Sequence, residues 1–268
     1  MTQPDAIGRR DPLLPDATHA LSVPEVRLLW SFVHGDIMDG GARQQLRDAW
    51  GLCDRHSWGH AVVEIELWQY GAGAAGGHQP FDVCILYDDL LETALHRLHR
   101  ARSRKLRRRL LGTEQCAICR DLGGTEPGNV LSGTPVVGYA GSDSQGLTEE
   151  VSRFRYTGEH VRATKPSWES VVCPACAADC AMDPHPDTGI VCRRHLAELD
   201  DDGEALEKAL GWLQQQRDPL RHLIDTMTQS GGTADLHTRG SWASTLSWFH
   251  GWSLPLALTR RHAEESAA

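Results

Sequence analysis

Nowhere in the 268 residues do eighteen apolar side chains run together, so the sequence offers no membrane-spanning helix. Phenylalanine and tyrosine number four each, and methionine is as rare. Aromatic packing therefore falls to nine tryptophans. The opening stretch MTQPDAIGRRDPLLPDATHA contains no apolar run of the kind a secretory leader needs, and its prolines mark it as a disordered lead-in. Catalytic signatures are missing too. There is no HExxH of a zinc hydrolase, no H-x-E followed by P-C-x-x-C of a zinc deaminase, and no GxSxG elbow.

What is present is globular in composition. Charged residues make up 24% and hydrophobic ones 40%, which excludes a wholly disordered or coiled-coil chain. The length suits one large domain or two modest ones, with core enough that metal or disulfide staples are not needed for folding. Eight cysteines and fourteen histidines are the anomaly. With no export signal they are expected in a reducing cytoplasm, where paired thiols more often ligate metal than form disulfides. The net charge is −9 but unevenly spread. Arg97, Arg100, Arg102, Arg104, Lys105, Arg107, Arg108 and Arg109 form a basic stripe without an acid among them, and the rest of the chain is correspondingly more acidic.

Periodicity makes the chain mainly α, a bundle-like architecture with two metal-anchored turns and a Gly/Ser/Pro-rich central loop. Val26, Leu29, Trp30 and Val33 mark a first helical face, and Gly40-Gly41 opens a second helix with Leu46 and Trp50. Trp58, Val62, Ile65 and Trp68 keep helical spacing, although the alternation of Val63, Ile65 and Leu67 also suits a strand. GAGAAGGHQP (71–80) is a break. From Phe81 to Leu111 the pattern predicts one long helix, its buried stripe running through Leu91, Leu95, Leu98, Ala101, Leu106 and Leu110, with Gly112 ending it.

Residues 120–146 are the best linker, with Val136-Val137 as a short strand candidate, and a helix over 147–161 follows. Asp201 and Glu204 have capping-box spacing before a helix carrying Leu206, Leu210 and Leu213. Asp218-Pro219 resembles an N-cap with proline at the first position of a new helix through Leu223 and Met227. A last helix from Ser241, with Trp242, Leu246, Phe249 and Trp252, is limited by Pro255. The expected organisation is a lead-in (1–20), an N-terminal helical region (21–119), the linker, a C-terminal helical region (147–262) and a tail (263–268). The tryptophans fall mostly on apolar helix faces and read as core; Trp248 and Trp252, one turn apart, have an alternative as an exposed anchor for a partner.

Four short thiol–imidazole pairs carry the chemistry: Cys53-x-x-His56, Cys116-x-x-Cys119, Cys173-x-x-Cys176 and Cys192-x-x-His195. Two intervening residues let a tight turn aim both side chains at one ion, and zinc takes four such ligands in a tetrahedron. The downstream four form a compact, complete set with structural zinc spacing, and Cys180 and His185 are spare ligands able to replace one of them. The upstream four are spread over a longer stretch, which entropy tolerates because closure cost grows only logarithmically with loop length; core or redox cysteines are the alternative there. Two zinc ions per chain are the expectation. Cys84, within FDVCILY, reads as core. The segments WGLCDRHSWGH and GIVCRRHLAEL resemble each other, a hint of an internally duplicated metal-anchored helix start.

Gly71-Ala-Gly73-Ala-Ala-Gly76 matches a dinucleotide fingerprint by letter, but Gln79-Pro80 leaves no room for the helix whose amides would meet a pyrophosphate. The arginine stripe is compatible with phosphate contacts, yet the acidity of the rest favours pairing with the protein's own surface or with a protein partner.

LLWSFVHGDIMDGGARQQLRDAWGLCDRHSW (28–58), VCPAC (172–176) and SWASTLSWFHGW (241–252) together resemble an uncharacterised bacterial family of helical proteins that pairs a CPxC with a GxCxxH turn and ends in a Trp-containing helix. The resemblance implies a helical, metal-anchored bacterial protein and no particular reaction. No CxxC precedes Cys53 here, which departs from that pattern and bears on how Cys53 and His56 are paired.

The expectation is therefore a cytoplasmic zinc-binding helical protein acting as an adaptor or regulatory module. It binds another protein, its metal is structural, and it is not an enzyme. A thiol redox or metal sensor, a nucleic-acid binder using the arginine stripe, and a biosynthetic enzyme with an incompletely closed metal site are the alternatives.

Overall fold

The structure is a computed structural model that describes residues 19–35, 39–70, 80–99, 103–112, 115–123, 144–182, 189–199, 203–228 and 232–267. Among these the chain is helical, with no strand. Helices α1 (Val23–Gly35), α2 (Gly40–Ala49), α3 (Asp54–Tyr70), α4 (Phe81–His99), α5 (Ser103–Leu110) and α6 (Ala117–Leu122) come first. Helices α7 (Ser144–Ser152), α8 (Arg155–Trp168), α9 (Pro174–Asp179), α10 (Arg193–Leu196), α11 (Gly203–Thr228), α12 (Leu236–His250) and α13 (Ser253–Ala267) follow, with one 3-10 turn at Glu169–Val171.

Two helices form the middle of the bundle. α12 packs on α8, α11, α4, α3 and α10, while α3 packs on α1, α7, α8, α4 and α12. Both are buried on nearly every side. In α12 two serines find partners locally: Ser241 donates to the Thr238 carbonyl, and Ser244 to that of Ser241 and to Gln216. Gly240 lets α12 cross α8 closely, since a Cβ there would stand 2.1 Å from Ser167 Oγ.

In α3 the buried acids serve other helices. Glu64 accepts the backbone N–H groups of Asp82 and Val83 at 2.8 and 3.0 Å, which begin α4. Glu66 does the same for Tyr156 and Thr157 at 3.2 and 2.7 Å, which begin α8. These four amides have no acceptor within their own helices, so α3 supplies caps from outside. Burial pushes both carboxyls up, and the amides pull against it.

The tryptophans are core, as their spacing implies. Trp50, Trp58, Trp168, Trp242, Trp248 and Trp252 are among the largest fully buried side chains, so Trp248 and Trp252 are not an exposed anchor. Several also bind the chain at turns. Trp50 Nε1 donates to the Arg109 carbonyl, Trp58 Nε1 to that of Gly251, and Trp248 Nε1 to that of Val191.

The segment 63–67 is helix within α3, the preferred of its two readings. Several expected boundaries are corrected. The long helix over 81–111 is two, α4 and α5, and Arg109 reaches back to donate to the Arg97 carbonyl. The helix over 147–161 is likewise α7 and α8, parted where Phe154 adopts a left-handed φ of 51°. Pro219 starts no helix: α11 runs through it, because the carbonyl the ring leaves unpaired belongs to exposed Gln215, where water can serve. The Trp-rich helix begins at Leu236, capped by Asp235, and Pro255 does not limit it but lies in the first turn of α13. Gly71–Gly76, Val136-Val137 and Asp201 lie outside the described residues.

Candidate metal centres

Each cluster is built from two helix starts. Cys116 is the N-cap of α6 and Cys119 lies in its first turn; Cys53 stands before α3 and His56 lies in the first turn of α3. Downstream, Cys173 caps α9 with Cys176 in its first turn, and Cys192 caps α10 with His195 inside it. A cap residue and the residue three further on lie on the same side of a helix start, which is why two intervening residues suffice.

The upstream four converge despite the long stretch between the pairs. His56 Nδ1 stands 3.3 Å from Cys53 Sγ, 3.5 Å from Cys116 Sγ and 3.3 Å from Cys119 Sγ, and the sulfurs of Cys53 and Cys119 are 3.7 Å apart. The downstream four repeat the figure. His195 Nδ1 lies 3.4, 3.5 and 3.3 Å from Cys173, Cys176 and Cys192, with Cys176 and Cys192 at 3.6 Å. Within each set every ligand atom is within 4.8 Å of the others.

Hydrogen bonding does not account for three equal contacts on one ring nitrogen, which has a single lone pair or a single proton to offer. A tetrahedron does. Ligand distances of about 2.3 Å for sulfur and about 2.0–2.1 Å for nitrogen around a central zinc give S···S edges of about 3.8 Å and S···N edges of about 3.5 Å. Both clusters match those edges and could hold a metal ion.

Their electrostatics point the same way. Hydrogen bonds from Cys53 and His56 hold the Cys116 thiol down, while Cys53 is pushed up by its contact with Cys116 and by burial. Downstream, Cys176 and Cys192 hold Cys173 down and are themselves pushed up. A cation among the sulfurs would favour the anionic form of all three.

The residues around the ligands complete the sites. Glu25 Oε1 is 3.0 Å from His56 Nε2, so the ring donates there and turns Nδ1 to the sulfurs. Glu25 is fixed in turn by Arg55 Nε and by Ser22, whose backbone N–H and hydroxyl both donate at 2.7 Å. Burial opposes its ionisation, but these donors win and hold its carboxyl at about 2. His195 Nε2 faces Asp179 at 3.3 Å, an outer partner open to solvent where Glu25 is buried.

An arginine precedes each ligating histidine, Arg55 upstream and Arg194 downstream, and each feels the attraction of its own cluster's sulfurs. The two turns also meet. Asp54 stands 3.3 Å from His250 Nδ1 at the end of α12 and 3.7 Å from Arg194 Nη1. Half-buried Arg193 donates to the carbonyls of Phe249 and Leu110, tying α10 to the last turns of α12 and α5. A cavity of about 310 Å³ opens beside this junction, with Asp54, Arg55, Cys176, Asp179, Cys180 and Arg194 in its wall.

Other expected residues fall outside the clusters. Cys180 is half-buried at the end of α9 and is not among the ligand atoms brought together; His185 lies outside the described residues. Cys84 is buried in α4. The basic stripe is dispersed. Arg97 binds the Arg47 carbonyl and Asp48 and lies over Trp50, and Arg109 binds the Arg97 carbonyl. Arg107 and Arg108 are exposed, Arg100 and Arg102 are outside the described residues, and nothing is described of the side chains of Arg104 and Lys105.

Glu25, Asp179 and Asp54 are the functional residues the sequence reading missed. Only Glu25 left a legible trace, the Ser22-x-x-Glu25 capping box, and that box names a helix start without naming His56.

Fold and site together define an all-helical protein with two buried Cys3His clusters, each able to hold a metal ion. No family model, curated protein or solved structure matches the chain.

Proposed function

We propose that each cluster binds one zinc ion, two per chain, as a structural metal, and that the protein works by binding, as an adaptor or regulatory module for another protein. The single observation behind this reading is the repeated tetrahedron of three sulfurs and one Nδ1. Such a soft, four-ligand set selects zinc among the abundant divalent ions and leaves no open position for a substrate or an activated water. Arg55 and Arg194 offset the single negative charge that three thiolates leave on each site. The ligands sit where α3, α6, α9 and α10 start, so zinc would fasten four helix starts.

An interaction role, in the cytoplasm and with a protein partner, follows from full coordination, the acidic net charge and the absence of catalytic signatures. Nucleic acid is the weaker reading, because Arg97 and Arg109 are engaged inside the molecule. Elemental analysis of protein purified without tags or chelators, with a free-thiol count, tests the metal. Two zincs per chain are expected, with six thiols unreactive until a chelator is added and a fall in melting temperature when it is. All eight thiols titrating in metal-free protein of unchanged stability would overturn the reading.

A further inference from the structure

Six of the eight cysteines are cluster ligands, and the remaining two differ sharply. Cys84 is sealed in α4, whereas Cys180 is half-buried and lines the cavity at the junction of the two metal turns. The same cavity is lined by Cys176, a ligand of the downstream cluster, while Cys173 and Cys192 do not reach it. Cys180 lies one helical turn beyond Cys176, its N–H bonded to the Cys176 carbonyl at 3.2 Å. The upstream cluster has no uncommitted thiol of this kind.

Resting on the zinc reading of the downstream cluster, we propose that Cys176 and Cys180 are an oxidation site through which a small hydroperoxide releases that zinc. The Cys176 thiolate attacks one oxygen of the peroxide; the S–O bond forms, the O–O bond breaks, and the departing oxygen leaves as hydroxide that solvent protonates. Cys176 is thereby oxidised by two electrons to the sulfenic acid, and the peroxide is reduced. Cys180 sulfur then attacks Cys176 sulfur. The S–S bond forms, the S–O bond breaks, and hydroxide leaves with the Cys180 proton as water. Zinc, left with Cys173, Cys192 and His195, has lost a ligand.

Geometry makes this a switch with two states. Side chains one turn apart on a helix have Cβ atoms about 5–6 Å apart, and a disulfide needs about 3.5–4.5 Å. The bond therefore cannot form while α9 keeps its shape around the metal. Cys180 is the C-cap of α9 and Ala181 beyond it turns left-handed at φ 52°, so it is the last turn of α9 that would have to open for the two sulfurs to meet.

The test uses full-length zinc-loaded protein, hydrogen peroxide at stoichiometric amounts and a chromophoric chelator, with zinc counted before oxidant is added. The expected result is release of the first zinc equivalent together with a Cys176–Cys180 disulfide in the peptide map, reversed by a thiol reductant and added zinc. Cys180→Ala and Cys180→Ser, both loaded to the wild-type zinc content, should release it at least tenfold more slowly. Release from these variants at the wild-type rate, or a disulfide joining Cys176 to Cys173 or Cys192 instead, would overturn the proposal. Absence of downstream zinc before peroxide would remove the zinc reading, and this switch with it.

Discussion

Glu25 holds three groups with two oxygens. One oxygen meets His56 Nε2 and Arg55 Nε, and the other closes the capping box with Ser22. Glu25→Gln keeps the shape but removes the charge that orients and strengthens the imidazole ligand. Metal affinity of the upstream site should fall about 10–100-fold in chelator competition, with the downstream site weakened far less. Equal weakening of both sites would mean that Glu25 acts on the fold rather than on His56. His60, one turn further along α3, is fully buried against Phe32, and neither ring nitrogen has a partner among the described residues. Burial lowers its pKa to about 3 from about 6.5. A depressed folded pKa means that the unfolded chain takes up protons first. Stability from the neutral ring is whole above about pH 6.5 and is lost as pH falls towards 3. His60→Leu removes the titration, so its melting temperature should exceed that of wild type by a margin that widens from pH 7.5 to pH 5. A margin that stays constant would show that acid sensitivity arises elsewhere.

At the scale of the element, α3 is held by what it gives its neighbours. Glu66 serves two amides in the first turn of α8, so Glu66→Ala should cost about 1–3 kcal/mol in denaturant unfolding, the range for stranding buried donors. Glu66→Gln, which keeps an acceptor, should recover part of that. Identical losses in the two variants would argue for packing instead of capping. These dependencies also mark how far the sequence could be read. Helices with one apolar stripe, such as α1 and α4, are legible because one side of each still meets water and imposes a period. α3 and α12 are covered all round, so their buried Glu64, Glu66, Ser241 and Ser244 look like surface residues until the neighbouring helices are in place. Proline misled in both directions. Pro219 sits inside α11 and Pro255 inside the first turn of α13, because what decides is whether the unpaired carbonyl meets water and whether the missing N–H was needed. The ligands themselves were legible because a C-x-x-C or C-x-x-H turn is local chemistry. Joining the upstream pairs required tertiary packing, and the outer carboxylates left no spacing to read.

Across the whole molecule the two clusters are mechanically joined. Asp54 of the upstream turn touches Arg194 of the downstream one, and both meet the end of α12 at His250 or beside it. Arg193 grips the Leu110 carbonyl, at the end of the helix that leads into Cys116. Cys192→Ser should therefore lose the downstream metal and also speed release of the upstream metal to a chelator by at least about fivefold, the lower end of ordinary coupling between sites. An unchanged upstream half-time would make the clusters independent. The order of the motifs has a further consequence, in time. The downstream ligands lie close together in the chain, whereas Cys53 and His56 are made long before Cys116 and Cys119. At about 5–20 residues per second, the first upstream pair waits on the order of several seconds on the ribosome with its thiol open to the cell. The last-numbered centre is thus the one that can mature almost as soon as it is made, and the first-numbered one depends on a chain that keeps its cysteine reduced until the rest arrives.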